Sequence, residues 1–190
     1  LAKVLRAKGL GEAREAAVTW LAVRQDRRAD LSPEAIAYED GNEFSEGLAV
    51  YTELRLVQVL QGRKEPPQLW LAQGFHGLKD LAHVQNRLVR KLLESTQGTL
   101  NVNNDRYGTA PVRFRLYYSG MAIAAILDRF DSNWKERIFE DGVSLTDLAT
   151  EALEAEPGEL RAALAKIKSG PEYDKLVTTK RQLEVDGKRD

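Results

Sequence analysis

Apolar residues recur at every third or fourth position along most of the chain, which is the pattern of amphipathic α-helices. In the segment from Glu12 to Arg28 an apolar side is followed by basic residues in the last turns, where the helix dipole favours positive charge. The same periodicity predicts helices over residues 1–8, 12–28, 33–38, 42–61, 78–95, 111–130, 134–139, 144–155 and 157–168.

Start and stop signals agree with this segmentation. Ser32 followed by Pro33 is a helix start, with the serine as N-cap and the proline at the first helical position. Ser144 with Asp147 three residues later is a variant of the capping box. The stretch from Gly98 to Gly108 is polar and rich in turn-forming residues, so we predict a loop there.

Residues 112–117 are the only stretch that alternates between apolar and polar positions as a strand would. We interpret them as helix, because the apolar positions continue at helical spacing through Met121, Ala125 and Leu127. The predicted fold class is therefore all-α, a bundle of about seven or eight helices. We predict one helical domain over residues 1–168 and a C-terminal tail over 169–190.

Composition narrows the function classes. The chain has 190 residues and a net charge of −1, without the basic excess that would indicate binding to nucleic acid or to an anionic membrane. No apolar run approaches the roughly 20 residues that span a bilayer. The absence of cysteine excludes disulfides and cysteine nucleophiles, and it is compatible with both cytoplasmic and secreted proteins.

The beginning of the sequence is unusual. The chain starts at Leu1 without a capping residue before its first helix, and its only methionine is Met121. We therefore expect it to be the remainder of a longer protein.

Five positions of the helix predicted for 42–61 fall at steps of three and four, namely Glu43, Glu46, Val50, Glu53 and Val57, and three of them are carboxylates. Glu43, Glu46 and Glu53 would share one stripe, which is typical either of a solvated face or of a functional one. Gly47 costs a helix interior about 1 kcal/mol relative to alanine. We therefore expect something to approach the backbone closely beside Glu46.

Two short motifs carry a family resemblance. SEGLAVY, residues 45–51, resembles the third-ligand helix of gluzincin metallopeptidases, in which the Glu before Gly binds zinc. YYSGMAIAAILDRF, residues 117–130, resembles the Tyr-x-x-Gly segment of gluzincin aminopeptidases, in which the Tyr stabilises the oxyanion. Residues 127–142 are similar to the segment that follows in bacterial gluzincin-like proteins.

The resemblance implies a zinc-dependent hydrolase that acts on a peptide or another small substrate. Glu46 would be the zinc ligand, supported by Glu43 and Glu53, and Tyr117 would donate to the oxyanion, with Tyr118 as the alternative. Arg113 and Arg115 would hold a substrate carboxylate, although arginines there are more often surface residues. From the charge balance we expect no nucleic-acid or membrane partner.

The His-Glu-x-x-His segment of this family is absent from the sequence. The only histidines, His76 and His83, follow Glu46 instead of preceding it, and we interpret them as packing or surface residues. Either the zinc-binding histidines lie upstream of Leu1, or residues 23–27 are a degenerate metal helix with Arg24 at the position of the catalytic Glu.

These two explanations give two functions, an enzyme and a catalytically inactive binding module. If the helix around residues 23–27 packs directly on Glu46, Arg27 would neutralise that carboxylate; if Glu46 faces open space, the enzyme hypothesis stands. A third hypothesis is a helical regulator that binds phosphate through Arg24, Arg27 and Arg28.

Overall fold

The computed structural model describes residues 1–75, 77, 81–97, 110–175 and 177–178. This part of the chain folds as helices without strands. Its α-helices are α1 (Ala2–Arg6), α2 (Leu10–Arg28), α3 (Pro33–Asn42), α4 (Leu48–Leu60), α5 (Leu81–Gln97), α6 (Ala110–Phe130), α7 (Trp134–Arg137), α8 (Leu145–Leu153) and α9 (Pro157–Lys168).

The predicted all-α class is confirmed. The described residues contain nine α-helices where seven or eight were expected. Residues 112–117 belong to α6, so the helical interpretation of this alternating stretch is correct. The loop predicted over 98–108 lies outside the described residues, as do residues 179–190 of the predicted tail, whereas residues 171–175 are helical.

The two helices predicted on either side of residues 39–41 are one continuous helical segment. A π-helical turn, Glu43–Gly47, joins α3 to α4. Gly41 lies within the helix, and arginines of α2 bind the carboxylates of Glu39 and Asp40 beside it. The predicted start is confirmed, since the Ser32 hydroxyl accepts a hydrogen bond from the backbone N–H of Ala35 at 3.3 Å.

Helix α6 is the centre of the core. Its buried side chains pack against α4, α5 and α8, and they are Met121, Ala122, Ile123, Ala124, Ile126 and Leu127. The alanines let neighbouring helices approach, and the larger side chains fill the space between them. Trp134 of α7 closes one end of this core and is 2% exposed.

A second apolar cluster joins the N-terminal helices to the end of the domain. Ala13, Ala17 and Leu21 of α2 pack with Leu153 and with Ile126 of α6.

The capping box of α8 is confirmed: the Asp147 N–H donates to the Ser144 hydroxyl at 3.2 Å, and the Ser144 N–H donates to Asp147 at 3.0 Å. Among the described residues, no helix combines the length and hydropathy needed to cross a bilayer.

Candidate functional site

The two motifs meet at a pair of glycines. Gly47 of the π turn lies directly against Gly120 of α6, so that a Cβ built on Gly47 would be 2.6 Å from the Gly120 Cα. A Cβ on Gly120 would be 2.5 Å from the carbonyl oxygen of Glu43. The close approach expected beside Glu46 is therefore confirmed, and the approaching group is the backbone of α6.

This crossing places Glu46 beside Tyr117. The Arg113 Nη2 donates to Glu46 Oε1 at 2.7 Å, and the Arg113 guanidinium lies 5.7 Å from the centre of the Tyr117 ring. The Glu46 carboxylate is close enough to the Tyr117 hydroxyl to raise the pKa of that phenol. Three of the residues selected from the sequence thus form one group, which we call the Glu46 cluster.

The Glu46 cluster lies at the surface. The side chains of Glu46 and Arg113 are 36% and 49% exposed, and Tyr117 is half-buried. Phe114 packs edge-on against the Tyr117 ring at a centroid distance of 5.6 Å and is itself exposed. The cluster therefore combines opposite charges, a phenol and an apolar ring that a ligand can reach.

The protonation of Tyr117 follows from these neighbours. Partial burial raises the pKa of the Tyr117 phenol, and the nearby Glu46 carboxylate raises it further. The positive charge of Arg113 lowers the pKa, but the net shift is upward. The phenol is therefore protonated at neutral pH and can donate a hydrogen bond.

The other selected residues lie elsewhere. Arg115 is exposed and forms no ion pair with another described residue. Tyr118 packs against the core. Glu53 is half-exposed, and its carboxylate lies 3.7 Å from Arg87 of α5. Nothing in these contacts connects the three residues to Glu46.

Glu43 does not share a face with Glu46, which corrects the stripe predicted from the sequence. Glu43 is completely buried and accepts hydrogen bonds from Arg24 Nη1 at 3.1 Å and Nη2 at 2.5 Å. The Ser119 hydroxyl donates to the same carboxylate at 2.6 Å. The reason is the π turn, whose wider winding moves residues three apart away from each other.

Helix α2 approaches through a row of arginines. Arg24 binds Glu43, Arg27 binds Glu39 with two bonds of 2.6 and 2.7 Å, and Arg28 binds Asp40. Arg27 therefore does not neutralise Glu46, since α2 packs on the carboxylates that precede it. Each of the three arginines has a carboxylate partner, so a phosphate would have to displace a carboxylate to bind them.

Sequence reasoning did not find a second polar centre at Asp128 of α6. Its carboxylate accepts hydrogen bonds from the Tyr51 hydroxyl at 2.6 Å, Lys135 at 2.7 Å and the Trp134 indole at 3.2 Å. Burial alone would raise the pKa of Asp128, but these donors outweigh it and lower the pKa. The sequence feature that could have pointed to this centre is Tyr51, the last residue of the SEGLAVY motif, which donates to Asp128.

A zinc ion would require more ligands than this part of the chain supplies. Within the described ranges, no group of three His, Cys, Asp or Glu side chains is placed to hold a metal. Glu46 binds the cation of Arg113, His83 is exposed on α5, and His76 lies outside the described residues. The residues described do not by themselves fit a zinc site.

Comparisons with protein-family models, with curated proteins and with solved structures found no match to this chain. The interpretation of the site therefore depends on its geometry and on the two motifs.

Proposed function

We propose that this chain is a helical binding module that holds a peptide or another small zwitterionic ligand at the Glu46 cluster. The observation that supports it is the exposed ion pair between Glu46 and Arg113 on a crossing where two helices touch backbone to backbone. A ligand ammonium matches Glu46 and a ligand carboxylate matches Arg113. Phe114 and the Tyr117 ring offer apolar surface for a side chain.

The Glu46–Arg113 pair can be opened by a ligand. Ion pairs between exposed side chains contribute little to stability, because water solvates the separated charges well. A ligand that supplies both opposite charges replaces the pair without leaving either charge alone. The backbone beneath does not have to move, since Gly47 and Gly120 leave no gap to close, and such preorganisation favours binding.

Because no three metal-ligating side chains come together among the described residues, the binding module is favoured over a zinc enzyme formed by this chain alone. The degenerate-site explanation requires a cation of α2 in place of the metal. Helix α2 does present the Arg24 guanidinium at its interface with the π turn. Its carboxylate partner, however, is Glu43 and not Glu46. The structural role of this pair leaves Glu46 available for a ligand.

A gluzincin-like hydrolase is the second candidate, and one observation favours it. Glu46 and Tyr117, the residues that the resemblance assigns to the metal and to the oxyanion, are adjacent and accessible. Two histidines from outside this chain would have to complete the site. This chain would then contribute a carboxylate ligand and a phenol that donates to developing negative charge.

Calorimetric titration with the zwitterionic tripeptide Ala-Phe-Ala tests the binding module. We expect a dissociation constant of about 0.1–1 mM, typical of a small ligand held by few contacts. Glu46→Gln and Arg113→Met should each weaken binding about tenfold. The exposed pair of Arg137 and Glu151, 2.6 Å apart, provides the matched control, and Arg137→Met should leave binding unchanged.

Zinc content measured on the same samples separates the two candidates. About one zinc per molecule that is lost in Glu46→Ala would support the hydrolase and contradict the binding module. Tripeptide binding without zinc would support the binding module. Absence of binding at 10 mM tripeptide, about ten times the weakest expected constant, would exclude the proposed ligand class.

A further inference from the structure

Two exposed phenylalanines, Phe44 and Phe139, contact each other and take no part in the Glu46 cluster. Phe139, which follows α7, is 74% exposed, and its ring contacts that of Phe44 edge-to-face at a centroid distance of 5.9 Å. Phe44 belongs to the π turn and is 37% exposed. Exposed aromatic pairs of this kind are typical of binding surfaces, because they leave apolar area in contact with water.

These rings border a groove of about 490 Å³ between α3 and the segment 138–147. Its apolar lining residues are Ala37, Phe44, Ile138, Phe139 and Val143. This volume lies within the range of sites that accept a large side chain and its neighbours. We call it the Phe44–Phe139 groove.

The charged residues that line this groove are all acidic. The charged residues that line it are Asp40, Glu140, Asp141 and Asp147, and none of the residues that line it is Lys or Arg. Asp40 binds Arg28 and Asp147 caps α8. Glu140 and Asp141 are exposed and form no ion pair with another described residue, so they are available to a partner.

We propose that the Phe44–Phe139 groove docks a short cationic segment of a partner protein, with a Leu or Phe anchor flanked by Lys or Arg. The anchor would cover the two phenylalanine rings, where aromatic contacts contribute most to binding. The flanking cations would lie against Glu140 and Asp141, which favours association and selects against acidic segments. This surface shares no residue with the Glu46 cluster.

Fluorescence anisotropy with a labelled peptide tests the proposal. The probe is fluorescein-labelled Gly-Lys-Lys-Leu-Phe-Lys-Lys-Gly, and a peptide with every Lys replaced by Glu is its control. We expect saturable binding of the cationic probe at micromolar concentration, weakened by salt because the charged rim is exposed to solvent. The acidic peptide should not bind.

Variants locate the site. Phe139→Ala, and separately Glu140→Lys with Asp141→Lys, should each weaken binding at least about tenfold. Leu71→Ala, which removes a side chain that is 87% exposed elsewhere, controls for lost apolar surface. Glu172→Lys with Asp174→Lys, two exposed carboxylates, controls for the same change in net charge.

Several results would overturn the proposal. They are the absence of saturable binding, equal binding of the acidic peptide, and unchanged binding by Phe139→Ala. Concentration-dependent dimerisation that Phe139→Ala abolishes, measured by sedimentation, would assign the groove to a second copy of this chain instead. Arg113→Met should leave probe binding unchanged, so a failure here is distinguishable from a failure of the Glu46 cluster.

Discussion

Gly47 and Gly120 touch through their main chains, with no side chain between the π turn and α6. A Cβ on Gly120 would lie 2.8 Å from the Cα of Glu43 and 2.9 Å from the Cα of Gly47. Backbone atoms cannot rotate away as a side chain can, so this contact fixes how closely the two helices pack. It thereby determines the distance between Glu46 and Tyr117.

Gly120→Ala should destabilise the protein strongly. The added methyl group overlaps backbone atoms on the facing segment, and such overpacking costs about 1–3 kcal/mol or more. Urea unfolding measures the loss. Gly41→Ala is the matched control, because a Cβ there meets nothing within 4 Å and alanine favours the helix, so stability should rise by about 0.5–1 kcal/mol. An equal effect of both substitutions would contradict the packing argument.

Glu43→Gln should lower the stability of the protein more than its small change in shape indicates. It removes the carboxylate that binds the buried Arg24 guanidinium most closely and leaves only Asp40, 3.7 Å away, as its counter-charge. Breaking such a buried pair costs about 3–5 kcal/mol. Adding Arg24→Met to Glu43→Gln should restore part of the loss, because it removes the buried positive charge that Glu43 no longer balances.

A double-mutant cycle in urea unfolding measures this coupling. The exposed pair of Arg14 and Glu159, 2.5 Å apart, is the control, and Glu159→Gln should change stability little. Independent effects of Arg24→Met and Glu43→Gln would show that the buried pair does not act as a unit.

Glu46→Gln should lower the pKa of Tyr117 toward its ordinary value of 10.0, because the substitution removes the carboxylate that helps to raise it. Arg113→Met should raise the same pKa, because it removes a positive charge that stabilises the phenolate. NMR titration of the tyrosine ring carbons measures both. Glu53→Gln, on a carboxylate that binds Arg87 instead, should leave the pKa of Tyr117 unchanged.

Asp128→Asn should reduce stability at pH 7 by about 1–2 kcal/mol, since three donors lose a charged acceptor. The folded state holds the pKa of Asp128 below 3.8, so this stabilisation is present above the unfolded-state pKa. It is lost as the pH falls through the depressed value.

Urea unfolding between about pH 7 and pH 2 tests this dependence. The difference in stability between the native protein and Asp128→Asn should narrow below about pH 4. Asp174→Asn, on an exposed residue, should show no such narrowing. A difference that stays constant across this range would mean that the ionised form of Asp128 has no special role.

Local signals in the sequence predicted most of the helices. The interval Pro157–Lys168 of α9 is the predicted one, because a proline begins it and Gly170 follows its end. Arg113 links the two motifs in space, because it binds Glu46 of the first motif and lies beside the ring of Tyr117 of the second. Each motif contains a glycine, and the backbone contact between Gly47 and Gly120 brings the two motifs together.

The partners of Glu43 could not be predicted in the same way. Periodicity assumes an α-helical turn, whereas residues 43–47 wind more widely, so the side chains of Glu43 and Glu46 diverge. Arg24 and Ser119 are 19 and 76 residues away along the chain, and nothing local indicates such contacts. The same holds for Asp128, whose donors come from α4 and α7.

The π turn also makes the length of this segment a constraint. An α-helix advances about 100° per residue, and the π turn accommodates one additional residue over about the same total rotation, so winding residues 43–47 as an α-helix without removing a residue would rotate α4 about 100° relative to α3. Tyr51 and Leu54 would leave the core. Ser45 is exposed and hydrogen-bonds only within its own helix, at the Gly41 carbonyl, so its side chain can be exchanged. The wide winding of the π turn cannot be exchanged in the same way, because it accommodates the additional residue without rotating α4 relative to α3.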